Sequence, residues 1–279
     1  SLLGVALTIS TIMFSQSIVF DFSMAAMLNE QHPISEGNRI AEERLGGLMP
    51  IEVSFKGEAG DFKRIENIRR LRECEEWLAN KAGLSGVVSL ASMLEEVRKG
   101  LTGQEGLPET NEEVAQLLLL LENDSMELVE RFSVDEYGHV RIQGDVVDFG
   151  AQHVVAMQDA FEPVAQKLFA GTSIKVRMTG EAPVAYRGMN TLSQELLFSV
   201  LTALIVVLCM IGVVFRSVRL MLASVLPNIL PILIGLAAYG LSGEVIDPLP
   251  GVVFCVALGI SVDDTIHVFN RFQQALNVG

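Results

Sequence analysis

The sequence predicts an α+β membrane protein, a bundle of transmembrane helices with an aqueous α+β domain inserted into it. Half of the 279 residues are hydrophobic, yet the formal net charge is -14, so an apolar and an acidic compartment coexist in one chain. The apolar residues gather into long runs in the C-terminal third, on the scale of the roughly 20 residues that cross a hydrocarbon core of about 30 Å. Between residues 50 and 180 short alternating segments and amphipathic stretches follow one another instead, the pattern of strands and helices around an aqueous core.

The acidic balance excludes nucleic acid as a partner, since binding it needs a basic footprint. Cys209 and Cys255 fall in apolar runs and Cys74 stands alone on a polar helix, which leaves no disulfide framework and no metal cluster. No cofactor is expected. A nucleophile elbow, a phosphate loop and an HExxH motif are all missing from the sequence, so an enzyme reading has nothing to stand on.

Residues 1–19 hold an apolar run, Leu2 to Phe14, with no basic flank. A signal peptide carries a positive n-region, so the run reads as the end of a first transmembrane helix, with a peripheral apolar strand or helix as the plainer alternative. The chain begins at Ser1 rather than Met and is expected to be a piece of a longer one.

Residues 20–191 form the expected aqueous domain. Ile51 to Phe55 alternates apolar and polar as a half-buried strand does. Asp61 to Lys81 repeats apolar residues at Ile65, Ile68, Leu71 and Leu78 and stops before Gly83, a fitting helix end. Gly86 to Leu90 completes a β-α-β unit. Leu101 to Asp124 reads as an insertion with its own helix, opened by the capping-box spacing of Thr110 and Glu113. Its five leucines, Leu117 to Leu121, offer a lipid-contacting surface or, more ordinarily, packed core or a subunit contact. A second unit follows: a strand in His139 to Val147, a helix from about His153 to Phe169 that Pro163 should kink or split, and a strand in Ser173 to Thr179. Two such units with opposed strands suggest a split-βαβ, ferredoxin-like sandwich.

Residues 192–279 carry three expected spans, at about 196–215, 220–241 and 249–270. Arg216, Arg219 and Arg271 flank them, while the loop between the second and third is acidic. The positive-inside rule therefore puts the Arg loop and the chain end in the cytoplasm and the large domain outside.

The third span carries the functional signal. Its charge-free part, Leu249 to Val262, is too short to cross, so the span must continue through Asp263, Asp264 and His267. At a rise of about 1.5 Å per residue Asp263 lies roughly 20 Å from the Pro250 end. Asp263 and His267 are i, i+4 neighbours and Asp264 and His267 are i, i+3 neighbours, which makes a relay geometry available. Adjacent carboxylates in a low dielectric favour binding a proton between them, and intramembrane acids commonly serve proton relays. The plainer alternative is a pair at a wet helix end or locked to a cation on another helix. No Lys or Arg occurs between Leu220 and Asn270. Asn228, at a similar depth, is expected with Thr265 to support the pair by hydrogen bonding, unless Pro227-Asn228 forms a kink satisfied locally. His267 is either a relay member or a snorkelling end residue.

The turn Phe215-Arg216-Ser217-Val218-Arg219, the segment Pro227-Asn228-Ile229-Leu230-Pro231 and the stretch Gly259 to His267, in this order after a large α+β domain, resemble the RND superfamily. Within it they are most similar to MMPL-type predicted exporters, relatives of sterol-sensing-domain and hopanoid-transporter proteins. The resemblance implies a proton-motive-force-driven exporter of hydrophobic or lipid-like substrates in the bacterial inner membrane, with residues 20–191 as a periplasmic porter domain. It puts the family's acidic pair on Asp263 and Asp264. It also implies that the lipid bilayer and a second RND repeat are partners, with a homo-oligomer left open. Two other readings stand beside it: a non-transporting, sterol-sensing-like lipid sensor or membrane scaffold, and a SecDF-like protein-translocation accessory.

Overall fold

The structure, a computed structural model, describes residues 21–23, 32–242 and 248–278. The expected first membrane helix in residues 1–19, and Glu244 and Asp247 of the acidic loop, lie outside them. The chain divides into two compact units, one of them Ser23–Arg187 and the other containing the helices from Gly188 onward.

In the first unit helix α1 (Pro33–Leu45) starts with proline in its first turn. It ends at Gly46, whose φ of 80° lets its N–H reach the Glu42 carbonyl, a left-handed cap that glycine adopts without a Cβ penalty. Strand β1 (Met49–Lys56) then buries Ile51, Val53 and Phe55 and leaves Glu52, Ser54 and Lys56 on its other face, as a period of two requires. A 3-10 turn (Asp61–Lys63) leads into α2 (Ile65–Asn80), which buries Ile65, Ile68, Leu71 and Leu78, and β2 (Ser85–Val88) follows.

Helix α3 (Leu90–Thr102) begins directly after β2. Ser89 and Ser92 form its capping box, so the segment expected as strand through Leu90 ends at Val88 instead. The insertion is therefore larger than the sequence suggested: α3, then α4 (Asn111–Phe132), then the short β3 (Ser133–Val134). Of the leucine run, Leu117, Leu118 and Leu121 are buried and Leu119 and Leu120 exposed. That is what one face of a helix turned to a core produces.

Strand β4 (His139–Val146), helix α5 (Ala151–Leu168) and strand β5 (Lys175–Thr179) complete the unit. Pro163 does not split α5, which is continuous through it. The sheet order is β2-β4-β1-β5, with β3 beside β4 and each paired strand antiparallel to its neighbour. It follows that β1 and β2 run parallel to each other, as do β4 and β5, each pair linked through a helix. Phe55 sits at the centre of the covered face, with its ring centroid 6.4 Å from Phe62 and 5.4 Å from Phe169, and Trp77 of α2 meets Phe161 of α5 at 5.4 Å. Tyr186 is fully buried and donates its hydroxyl proton to Asp148 after β4.

Three long helices follow: α6 (Glu181–Val214), α7 (Val218–Ser242) and α8 (Pro248–Val278). Two stretches are long and apolar enough to cross a membrane, Val218–Tyr239 and Pro250–Ala275. The run expected at 196–215 appears as the apolar part Phe198–Val214 of α6, about 26 Å long at 1.5 Å per residue and so at the short end for a span. Val200 and Leu204 of α6 pack with Phe254 and Leu258 of α8, and Ile229, Ile232 and Leu236 of α7 close over them.

Candidate functional site

Helix α8 is apolar around most of its circumference, and its burial divides it. Gly251, Phe254, Leu258 and Thr265 turn inward at intervals of three, four and seven residues, the spacing of a single helical face. Val252, Val253, Val256 and Ile260 are exposed. Asp263, Asp264 and His267 belong to this exposed side. Asp263 Oδ1 lies 3.6 Å from His267 Nε2, and both side chains are nearly three-quarters exposed. The i, i+4 relation expected between them is thus realised as a contact, one that is an ion pair when the imidazole is protonated.

The inward side of α8 and α7 carries polar groups of a different kind. Thr265 is buried and donates from Oγ1 to the Ser261 carbonyl at 2.8 Å, while Ser261 donates to the Ala257 carbonyl at 2.9 Å. On α7, Ser224 and Asn228 are fully buried. Ser224 Oγ donates to the Met221 carbonyl at 2.6 Å, and Asn228 Nδ2 donates to the Ser224 carbonyl at 2.7 Å. Each hydroxyl or amide turns back on its own helix, which satisfies its donor without a partner helix. Asn228 Oδ1 is the exception, buried with no hydrogen-bond partner.

The structure therefore does not bring Asn228 or Thr265 to the carboxylates. Both look into the helix packing, whereas Asp263, Asp264 and His267 look out of it. Pro227 and Pro231 lie inside α7, which stays helical through both. Sequence reasoning passed over Ser224 and Ser261. The signal was a small hydroxyl residue four positions before Asn228 and before Thr265, the spacing at which such a side chain meets the same stretch of helix.

Among the described residues no group of three or more His, Cys, Asp or Glu is placed to hold a metal ion. An outward face that combines Val252, Val256 and Ile260 with two carboxylates is chemically mixed. Lipid suits the first three and penalises the last two, so the arrangement is suited to a face covered by further protein or opening on a wet path.

The sequence profile of the MMPL family matches residues 137–279, just over half of the chain and all three long helices. The chain belongs to the MMPL family. It is accordingly a membrane protein of the RND transporter type, and the match includes every residue of the acidic face together with Asn228 and Thr265. No curated protein matches the chain.

Proposed function

We propose that this MMPL protein is part of a proton-motive-force-driven exporter of hydrophobic or lipid-like substrates, in which Asp263 and Asp264 relay protons within the membrane. The observation that carries this reading is their position: adjacent carboxylates on the outward side of a helix that meets the length and composition of a span. Their helix has no Lys or Arg between Pro248 and Asn270. Charged side chains are costly within a span and are kept there for function rather than for packing. His267, 3.6 Å from Asp263, extends the path by one helical turn toward the Arg271 end. Asn228 Oδ1 and the Thr265 hydroxyl offer inward support to the relay when α7 and α8 change their packing.

The strand order β2-β4-β1-β5 supports reading Ser23–Arg187 as a ferredoxin-like porter domain, and the Arg distribution supports placing it in the periplasm of a bacterium whose inner membrane holds the helices. The partners of this reading are the bilayer, the substrate and a second RND repeat that covers the acidic face. Transport follows the alternating movement of repeats around a fixed site.

The test is proton-gradient-dependent efflux of a lipid or dye from vesicles containing the complete transporter, comparing wild type with Asp263→Asn/Asp264→Asn. Loss of efflux with insertion intact is the expected result. Unchanged efflux would make the carboxylates structural and leave a lipid sensor or scaffold as the better reading.

A further inference from the structure

The open face of the sheet is basic in an acidic chain. Glu52, Ser54 and Lys56 of β1 stand on it beside His139, Arg141, Gln143 and Asp145 of β4, and beside Lys175, Arg177 and Thr179 of β5. Four cations there face two carboxylates, whereas the whole chain carries -14. Lys56 lies directly opposite Lys175 in the register, a like-charge pair that weakens the sheet unless an anion lies near it. Among the described residues, neither lysine takes part in an ion pair.

At the β3 end this face deepens into a cavity of about 330 Å³ lined by Arg131, Phe132, Ser133, Val134, Arg141 and neighbours from β1 and β5. Its walls are fixed. Arg141 Nη1 donates to Glu52 Oε1 at 3.1 Å, Ser54 Oγ is 2.7 Å from His139 Nε2, and the Phe132 ring centroid lies 5.8 and 5.9 Å from the guanidinium carbons of Arg141 and Arg131. Two buried donors in this wall have no hydrogen-bond partner: Ser133 Oγ, on a residue only 5% exposed, and Arg141 Nε. An orphaned buried donor costs the full desolvation of its group, and here both orphans sit on residues that line one cavity. Both can donate, so a group rich in acceptor oxygens would satisfy the two together. Phe132 and Val134 add an apolar wall beside them.

We propose that this cavity binds an oxyanion, a phosphate or carboxylate, carried on a small apolar group. Arg141 Nε and Ser133 Oγ, enclosed in the free protein, turn to donate to the oxyanion, Arg131 closes over it as a second cation, and the apolar part lies on Phe132 and Val134. Glu52 is neutralised by Arg141, and Glu130 at the exposed rim disfavours more highly charged anions. The site is independent of the proton relay, because it is built wholly within Ser23–Arg187.

The test is calorimetric binding to the full chain in nonionic detergent, with inorganic phosphate, hexyl phosphate, hexanoate and hexyltrimethylammonium as probes. Hexyl phosphate or hexanoate should bind at least about tenfold more tightly than inorganic phosphate, and the cation should not bind. Arg141→Met and Arg131→Gln should each weaken binding about tenfold, in keeping with the strength of charge-assisted hydrogen bonds. Ser133→Ala, which removes one buried hydroxyl and disturbs no partner, should weaken it about threefold to tenfold without lowering the melting temperature of the ligand-free protein. Equal binding of inorganic and hexyl phosphate would overturn the apolar part of the site. Binding insensitive to Ser133→Ala and Arg131→Gln, or equal uptake of the cationic probe, would overturn the site itself.

Discussion

Gly235 of α7 stands so close to Phe254 of α8 that a Cβ at position 235 would lie 2.7 Å from the phenyl ring. Hydrogen alone fits there, and the two helices approach each other across that absence, as small residues allow in membrane helices. Gly251 meets Leu196 of α6 in a milder form, at 3.3 Å, whereas Gly259 has nothing within 4 Å. Glycine thus sets the packing on one side of α8 and is free of contact on the side of the acidic residues.

Gly235→Val should therefore lower the melting temperature in detergent, the cost of overpacking being about 1–3 kcal/mol. Gly259→Ala should leave it unchanged or slightly raised, since alanine favours the helix and meets no neighbour. Equal melting temperatures for the two variants would show that α7 and α8 do not pack through Gly235.

The core of the first unit predicts a larger effect. Phe55 is fully buried between Phe62 and Phe169, so Phe55→Ala removes a whole ring from the covered face of the sheet and should destabilise by about 3–5 kcal/mol. Leu101, 59% exposed at the end of α3, should tolerate alanine within about 0.5 kcal/mol. Unfolding midpoints of the two variants in denaturant measure the difference.

Cys74 separates burial from reactivity. Burial in α2, helped by the charge of Glu73, pushes its thiol up to about 12, which leaves roughly one three-thousandth of the thiolate that a free cysteine near 8.5 would offer. With Cys209 and Cys255 replaced by serine, maleimide labelling at pH 8 should be negligible in the folded protein and complete after denaturation. Rapid labelling of the folded chain would mean that α2 opens readily.

These outcomes bear on what the sequence made legible. Strand β1 was plain, because Ile51, Val53 and Phe55 alternate with polar residues and the sheet covers one face only. Helix α2 was plain for the same reason at a period near 3.6. Helix α3 was not, since Ser92 replaces the Glu or Gln that marks a capping box, and Val87-Val88 ran on as strand into Leu90. Pro163 predicts a kink or a split, and of the two the split does not occur, because α5 continues through it. The acidic stretch was legible as chemistry and illegible as geometry: α8 is apolar on both sides, with Phe254 and Leu258 inward and Val256 and Ile260 outward, so periodicity does not say which side the carboxylates share. Depth alone drew Asn228 toward them. Side-chain hydrogen bonding to the Ser224 carbonyl turned it into the helix packing instead.

Glu113, in the first turn of α4, accepts from the Glu109 backbone N–H at 2.7 Å and from Arg98 Nε at 2.7 Å, and these two bonds, in that order, hold its carboxyl below the ordinary value. Arg98 is itself buried, and its remaining donors hold Gln104 Oε1 and the Glu105 carbonyl, so the carboxylate anchors the whole α3–α4 connection. A carboxyl whose pKa is lower folded than unfolded stabilises the fold fully above its unfolded value, near 4.3, and loses that contribution as pH falls through the folded value. Glu113→Gln keeps an acceptor for the Glu109 N–H and removes the charge. It should cost about 0.5–1 kcal/mol at pH 7, and the gap from wild type should narrow steadily below about pH 4 as the native carboxylate takes up its proton. Melting temperatures of the pair at pH 7, 5, 4 and 3 decide the matter: a gap of constant size across that range would mean that the charge of Glu113 does not hold the connection.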